Sequence, residues 1–291
     1  MRKNLLLVVI FVLAIIAPTS AFASNSVQTS NDKEVEKFIE KYGEAINEAN
    51  TDLLSIYQAS KNDSDEQQKI KDFYEKKEIK ELLHKVRREF NDNPELETKY
   101  IENVDAFDLR KVAEKLPINS LKLNSAEKKI VTMEDGSFTQ VTEEFGKVNS
   151  NELLMSASSQ EFDAYRYIRY DDDDYYHRWT YTIVHLFYPD TKLALMSYMS
   201  ATIGKLTISN ATTTGTFSQV PIVSVSSSAS VIRSSGSSST AAKTSGSYQV
   251  TFAGMNGVGL HVENYDLNAS YRLDVSDRYG AFLDTTLTVV Q

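Results

Sequence analysis

Residues 128–145, KKIVTMEDGSFTQVTEEF, mark the point at which the sequence changes from helical to strand periodicity. Two β-forming runs flank Glu134-Asp135-Gly136-Ser137, a set of residues typical of a tight turn. Short β-forming runs then follow at intervals of about ten residues, separated by Gly, Asn, Asp and Ser. This pattern predicts that residues 118–291 form an antiparallel all-β sandwich or a barrel-like domain.

Upstream of this change, residues 32–116 have the spacing of amphipathic helices. Apolar residues recur every three or four positions, as at Phe38, Tyr42 and Ile46, with glutamate and lysine between them. We expect the polar run at residues 50–52 to interrupt the first helix. The predicted fold class is α+β, with an N-terminal α-helical unit followed by the antiparallel β-sandwich.

The N-terminus has the pattern of an export signal. Arg2 and Lys3 precede a long apolar run that ends in the small-residue pattern AFA at residues 21–23. This order of positive, apolar and small residues predicts a secretory signal peptide over residues 1–23, cleaved after Ala23. The chain has no cysteine, so the exported form has no disulfides and must be held by its core. Exported, cysteine-free proteins are common in Gram-positive bacteria, and we predict a secreted, extracellular protein of such an organism.

Charge and motifs exclude several classes of function. The formal net charge is −9, and an acidic surface repels phosphate backbones, so nucleic acid is not an expected partner. The sequence has no H-E-x-x-H, G-x-S-x-G, phosphate-loop or C-x-x-C motif, and we predict no catalytic residue. His177 and His185 would lie about 26 Å apart along one strand, too far to share a metal.

Residues 166–181, RYIRYDDDDYYHRWTY, place four consecutive aspartates between two tyrosine-rich β-forming runs. If these runs form a hairpin, Arg169 lies opposite Tyr176 and Arg166 lies opposite Trp179. Such pairs would bring guanidinium groups over aromatic rings. The simplest interpretation of the aspartates is then an anionic hairpin turn.

Two functional interpretations compete with the turn. Four adjacent carboxylates could bind calcium, with Asp171, Asp172, Asp173 and Asp174 as ligands, although the spaced ligands and central glycine of a dedicated calcium loop are missing. A secreted hydrolase could use acidic residues of the β half, although such an acid pair needs two different environments and adjacent loop aspartates share one. We predict no cofactor, with calcium as the alternative.

The density of aromatic residues around the aspartates gives the leading functional hypothesis. Two alternating strands cannot bury all of these rings on one face, and exposed tyrosines beside arginines are typical of surfaces that bind carbohydrate or protein. The alternative is aromatic core packing. The predicted ligand-binding residues are Arg166, Tyr167, Arg169, Tyr176 and Trp179. We predict a non-enzymatic extracellular or envelope-associated binding protein whose partner is a polysaccharide or a protein.

Residues 218–253 support a second hypothesis. Residues 197–262 contain no acidic residue, and within them Val225 and Val231 alternate with serines while Tyr248 and Val250 alternate with polar residues. Such alternation suits a sheet half-buried against a core, and it also suits a transmembrane barrel. This Ser/Thr-rich hairpin is similar to the amphipathic hairpin of aerolysin-type β-pore-forming toxins. The resemblance implies a membrane-inserting toxin, and only under this alternative do we expect contact with a membrane.

Overall fold

The computed structural model describes residues 30–60, 63–115, 128–148, 166–170, 174–216, 223–253 and 260–290. The described residues contain five α-helices, α1 (Ser30–Ala59), α2 (Asp63–Glu75), α3 (Lys77–Asp92), α4 (Pro94–Glu102) and α5 (Leu109–Lys115), with a short 3-10 helix at Asp105–Phe107 between the last two. The predicted helical unit is confirmed. The predicted signal peptide and the predicted boundary between residues 116 and 118 lie outside the described residues.

The expected break in the first helix is wrong, because α1 continues through residues 50–52. Asn50 is fully buried, and its side chain forms two hydrogen bonds with loops of the β half. Its Oδ1 accepts from the Leu186 amide at 2.7 Å, and its Nδ2 donates to the Asp135 carbonyl at 3.2 Å. These tertiary bonds stabilise a residue type that has low helix propensity on its own.

In the described ranges, eleven strands form two antiparallel sheets. Their bounds are β1 (Lys129–Thr132), β2 (Phe138–Lys147), β3 (Tyr167–Arg169), β4 (Tyr175–His185), β5 (Tyr188–Thr202), β6 (Lys205–Thr216), β7 (Val223–Arg233), β8 (Ser235–Gly236), β9 (Ala242–Ala253), β10 (Leu260–Ser276) and β11 (Gly280–Val290). The six-stranded sheet has the order β1-β2-β4-β5-β6-β8, and the five-stranded sheet has the order β3-β11-β10-β9-β7. The two curled sheets form the predicted antiparallel sandwich.

The turn that was predicted from residues 134–137 joins β1 to β2, which pair in antiparallel register. Gly136 has φ 77°, a left-handed conformation that favours glycine in such turns. A side chain at this position would also collide with the Asn47 amide of α1, because an added Cβ would lie 2.4 Å from its Oδ1. The turn is therefore shaped both by its own geometry and by contact with the first helix.

The helices pack against the sandwich where the β1–β2 turn and the β4–β5 turn lie. Tyr57 of α1 contacts Phe138 edge-on, with ring centroids 5.2 Å apart, and Phe107 contacts Phe252 at 4.6 Å. The Tyr74 hydroxyl of α2 donates to the Leu186 carbonyl at 2.9 Å. Apolar side chains of the helices and the sheets thus form one continuous core.

Candidate functional site

The four aspartates do not close a hairpin. β3 pairs with β11 in the five-stranded sheet, whereas β4 lies in the six-stranded sheet between β2 and β5. Arg169 lies opposite Gly280, so the predicted pairs Arg169–Tyr176 and Arg166–Trp179 are wrong. The physical reason is competition for edges, because both edges of β4 are occupied by strands of 10 and 15 residues and none remains for β3.

Two of the predicted ligand-binding residues lie on opposite faces of β4. Trp179 points into the sandwich and is fully buried, so its ring is not accessible to a ligand. Tyr176 lies on the outer face, where its hydroxyl donates to Glu144 Oε1 at 2.7 Å. Arg178 donates to Glu144 Oε2 at 3.1 Å on the same face. Tyr176 is therefore half-buried in a surface hydrogen-bond network.

Arg166 directs its guanidinium into the sandwich. Its backbone has φ 44°, in the left-handed region that residues with a side chain rarely adopt. Its Nη1 lies 3.1 Å from Glu143 Oε1 and also donates to the Thr285 hydroxyl. Only 15% of its side chain is exposed. The predicted ligand-binding role of Arg166 thus competes with a structural ion pair.

Glu143 is the centre of a buried ion-pair network, which we call the interior polar cluster (Glu143, Arg166, His177 and Thr285). His177 Nε2 lies 2.6 Å from Glu143 Oε1, and the Thr285 hydroxyl donates to the same oxygen at 2.7 Å. A carboxylate can only accept, so the Nε2 atom of His177 carries the hydrogen. Burial would raise the pKa of Glu143, but the bond and charge of His177, the bond from Thr285 and the charge of Arg166 together lower it.

A chain of hydroxyls continues the polar interior across the two sheets. The Tyr271 hydroxyl donates to Ser197 Oγ at 2.9 Å, and Ser197 Oγ lies 2.9 Å from Thr244 Oγ1. The Tyr271 ring contacts the His177 ring edge-on at 5.3 Å. All four side chains are buried, so this region has the character of a structural network that joins the sheets.

The exposed aromatic residues lie elsewhere, at the β10–β11 turn. We call this surface the aromatic–arginine patch (Tyr167, Arg169, Arg278, Tyr279 and Phe282). Tyr167 lies opposite Phe282 on the paired strands β3 and β11, with ring centroids 5.1 Å apart. The Arg278 guanidinium lies 4.4 Å from the centroid of the Tyr279 ring. Tyr279 is 60% exposed and Phe282 is 38% exposed.

Asp277 holds the turn beneath this patch. Its Oδ1 accepts from the Tyr279 amide at 2.7 Å, the Gly280 amide at 2.9 Å and the Tyr167 hydroxyl at 2.9 Å. The Tyr279 amide bond, followed by the Tyr167 bond, lowers the pKa of Asp277. Gly280 allows the close approach of β3, because an added Cβ would lie 2.3 Å from the Ile168 carbonyl oxygen. The rings of the patch are thus supported by a rigid hairpin end.

The calcium hypothesis concerns residues that are mostly outside the described chain. Asp171, Asp172 and Asp173 are among those residues, and Asp174 is exposed with its carbonyl accepting from the Val148 amide at 2.8 Å. Within the ranges that the structure describes, no group of three His, Asp or Glu side chains could hold a metal ion. The calcium assignment stays a prediction.

Sequence reasoning missed Tyr279 and Phe282 of the aromatic–arginine patch and Glu143 of the interior polar cluster. Tyr279 lies in the β10–β11 turn and Phe282 lies in the last β-forming run, neither of which carried a motif, and their link to Tyr167 depends on pairing between distant strands. Glu143 had a usable signal. Because side chains alternate along a strand, Glu143 and Glu144 cannot both face solvent in a strand with one buried face, so one of them must enter the interior.

Comparison with known proteins gives little. No family model matches the chain, and no curated protein is similar to it in sequence. The crystal structure of a hypothetical protein from Listeria monocytogenes EGD-e shares 16% identity and covers 57% of this chain and 95% of that chain, with a TM-score of 0.21. A similarity at this level carries no inference about function.

The Ser/Thr-rich hairpin predicted within residues 218–253 is present as β7 and β9, which pair in antiparallel register. On β9, Tyr248, Val250 and Phe252 are buried while Ser247 and Gln249 are exposed, as the alternation predicted. Among the described helices, none combines the length and apolar character needed to cross a membrane.

Proposed function

We propose that this chain is a secreted bacterial binding protein without enzymatic activity, and that the aromatic–arginine patch contacts an extracellular polysaccharide. The observation that supports the patch is exposure. Of the aromatic residues whose side chains the structure describes, Tyr279 and Phe282 alone are exposed, and they lie together. Secretion rests on the sequence pattern of residues 1–23.

The chemistry of the patch suits a sugar polymer. Exposed aromatic faces can pack against the apolar faces of sugar rings, while guanidinium groups donate hydrogen bonds to hydroxyl or acidic oxygens. Arg169 and Arg278 supply these donors on a protein whose formal net charge is −9. Of the residues predicted from the sequence, Tyr167 and Arg169 belong to this surface.

The test is co-sedimentation of the mature chain, residues 24–291, with insoluble bacterial cell-wall polysaccharide. We expect the double variant Tyr279→Ala/Phe282→Ala to bind at least about tenfold more weakly, because central aromatic contacts contribute more than about 1 kcal/mol each. Loss of the contact between Phe282 and Tyr167 should lower the free energy of unfolding by about 1 kcal/mol, so the variant should remain folded.

The matched control is Ile39→Ala/Val262→Ala, which removes two apolar side chains that are 48% and 44% exposed on α1 and β10. This control should bind as the wild type does. Unchanged retention of the patch variant on wall material would contradict the proposal. If wall binding is unchanged but chemical cross-linking captures a protein with the wild type and not with the patch variant, the patch binds a protein partner.

A membrane-inserting toxin is the second candidate, favoured by the observed alternation of β7 and β9. Inward-facing Val250 and Phe252 and outward-facing serines would suit lipid and water on opposite sides of a barrel wall. Release of the hairpin requires breaking the β9–β10 ladder, which runs from Ala253↔Leu260 to Ala242↔Tyr271. Release of the hairpin therefore requires a large free energy in the folded monomer.

Dye release from liposomes tests this candidate. The chain has no cysteine, so the pair Gln249→Cys/Asn264→Cys, at directly opposite exposed positions of β9 and β10, can lock the hairpin. If the hairpin inserts, the oxidised form should release no dye and the reduced form should release it as the wild type does. Release that is equal in both forms, or absent from the wild type, would rule the hairpin mechanism out.

A further inference from the structure

The four sheet edges differ greatly in length. β1, β3 and β8 are edge strands of 4, 3 and 2 residues, whereas β7 is an edge strand of 11 residues. The short strands cover only part of their neighbours, since β3 pairs with residues 280–282 of β11 and β8 with residues 206 and 207 of β6. Among the described edge strands, β7 is the longest, and a long edge strand offers a full row of unpaired backbone groups to another chain. β7 pairs with β9 on one side, and no strand within the described ranges pairs with its other side.

The usual protections of a long edge are missing from most of β7. Between Ser224 and Ile232 the strand has no charged residue and no proline, and its register irregularity falls only at its end, between Val231 and Arg233. Charged side chains, prolines and central bulges are the devices by which proteins prevent edge-to-edge pairing. β7 therefore presents a pairing edge that the sequence leaves unprotected.

Charge also favours contact between two copies at this strand. The whole chain has a formal net charge of −9, so two copies repel each other over most of their surface. Residues 197–262 contain no acidic side chain. The β7 edge lies within this acid-free region, where two copies can approach without that repulsion.

We propose that β7 binds β7 of a second copy of this chain, in antiparallel register about a two-fold axis at Ser228. The strand is self-complementary in this register. Val225 lies opposite Val231 of the second copy, and Ser226 lies opposite Ser230. Val225 and Val231 are half-buried on the core side, and both serines are exposed on the outer side. In this register, valine therefore lies beside valine on one side of the sheet and serine beside serine on the other.

The geometry limits the assembly to two copies. A two-fold contact uses the same strand of both partners, so each β7 is consumed by one pairing. The product is a continuous ten-stranded sheet, formed from two copies of the five-stranded sheet.

A single cysteine tests the register directly, because the chain contains no cysteine of its own. In the Ser228→Cys variant of the mature chain, the two introduced residues lie opposite each other with Cα atoms about 4.5 to 5.5 Å apart, within the range of a disulfide. We expect mild oxidation to convert most of this variant to a covalent dimer. Ser228 is exposed, so the folded monomer should be unaffected.

The matched control is Ser224→Cys, at another exposed position of the same strand. In the proposed register its two copies are eight residues apart along the strand, about 27 Å, and cannot form a disulfide. Cross-linking of Ser224→Cys at the rate of Ser228→Cys would overturn the register, since it would indicate random collision. Failure of Ser228→Cys to cross-link would overturn the proposal.

Sedimentation velocity without any cysteine gives an independent measurement. The wild-type mature chain should dimerise with rising concentration, and Ser226→Lys/Ser230→Lys should weaken the dimer at least about tenfold by placing lysines opposite lysines. Asn264→Lys/Asn268→Lys puts the same charge on the same face two strands from the edge, and should still dimerise. A wild type that stays monomeric up to millimolar concentration would refute the contact.

Discussion

Two buried histidines of the same strand, His177 and His185, lie in opposite electrostatic environments. His177 is in the middle of the sandwich and contacts a carboxylate, Glu143, which is also paired with Arg166. His185 is at the end that faces the helices, where its Nδ1 accepts from the Phe187 amide at 3.2 Å and its Nε2 lies 3.1 Å from the Tyr100 hydroxyl. The middle of the sandwich contains the ion pair of Glu143 and Arg166, whereas this junction contains a buried histidine in contact with a backbone amide and a tyrosine hydroxyl.

The consequence is that the two regions should respond differently to loss of charge and to acid. A buried ion pair is most sensitive to removal of one partner, because the other charge is left uncompensated. A buried neutral histidine is most sensitive to protonation, because burial disfavours its charged form by more than the charge of Asp135 offsets. Glu143→Gln with its control Glu144→Gln, and a pH series with His185→Asn, separate these behaviours.

The largest expected effect is that of Glu143→Gln in the middle of the sandwich. The change leaves the guanidinium of Arg166 without its counter-charge and removes the carboxylate that accepts from His177 and Thr285, and we expect the free energy of unfolding at pH 7 to fall by about 4 kcal/mol. Urea unfolding monitored by circular dichroism measures this loss.

Glu144→Gln is the matched control for this prediction. Glu144 is the next residue of β2, faces outward and pairs with Arg178 at the surface, with its side chain 25% exposed. A partly exposed pair contributes at most about 1 kcal/mol. Equal losses for the two variants would mean that the buried position of Glu143 has no special energetic role.

The next effect concerns His185 and acid. Burial lowers the pKa of His185 from 6.5 to about 4, with the charge of Asp135 opposing this only in part. Between these values the unfolded chain binds the proton and the folded chain does not, so stability is complete above about pH 6.5 and falls as the pH drops towards 4. We expect a loss of about 3 kcal/mol over this range, from urea unfolding at a series of pH values.

His185→Asn identifies the source of that loss, since asparagine offers an acceptor near the position of Nδ1 and does not titrate in this range. The variant should be less stable than the wild type at pH 7 and should lack most of the loss between pH 6.5 and 4. Glu143 cannot mimic the effect, because its lowered pKa keeps its contribution intact down to about pH 4.5. An unchanged pH slope in the variant would contradict the role of His185.

Much of this fold could be predicted from periodicity, because the change from helical to alternating spacing depends only on neighbouring residues. The α+β class, the turn at Gly136 and the β7–β9 hairpin all follow from such local signals. The predicted hairpin of β3 and β4 is wrong because strands distant in the sequence compete for the same pairing edges. β11, which follows β3 by about 110 residues, is its actual partner.

The candidate site was predictable only in part, for the same reason. Arg169 is exposed and Tyr167 is half-buried, and their ligand-binding role stays a prediction. The alternation of β4 alone could not decide that Trp179 faces the core, because it does not say which face is buried. Tyr279 and Phe282 reach Tyr167 only through the β3–β11 pairing. Tertiary contact likewise explains the helix that continues through Asn50.

Asn50→Ala gives the smallest of these effects and tests the helix-facing end without any change of charge. The Leu186 amide and the Asp135 carbonyl would lose their partner inside the protein, at a cost of about 1 to 3 kcal/mol, while the better helix propensity of alanine returns about 0.5 kcal/mol. We therefore expect a loss of about 2 kcal/mol. Thr51→Ala, at the exposed neighbouring position, should change stability by less than about 0.5 kcal/mol. Amide hydrogen exchange at Leu186 should accelerate in Asn50→Ala alone; equal protection in both variants would mean that the tertiary bonds of Asn50 do not hold the β4–β5 turn against α1.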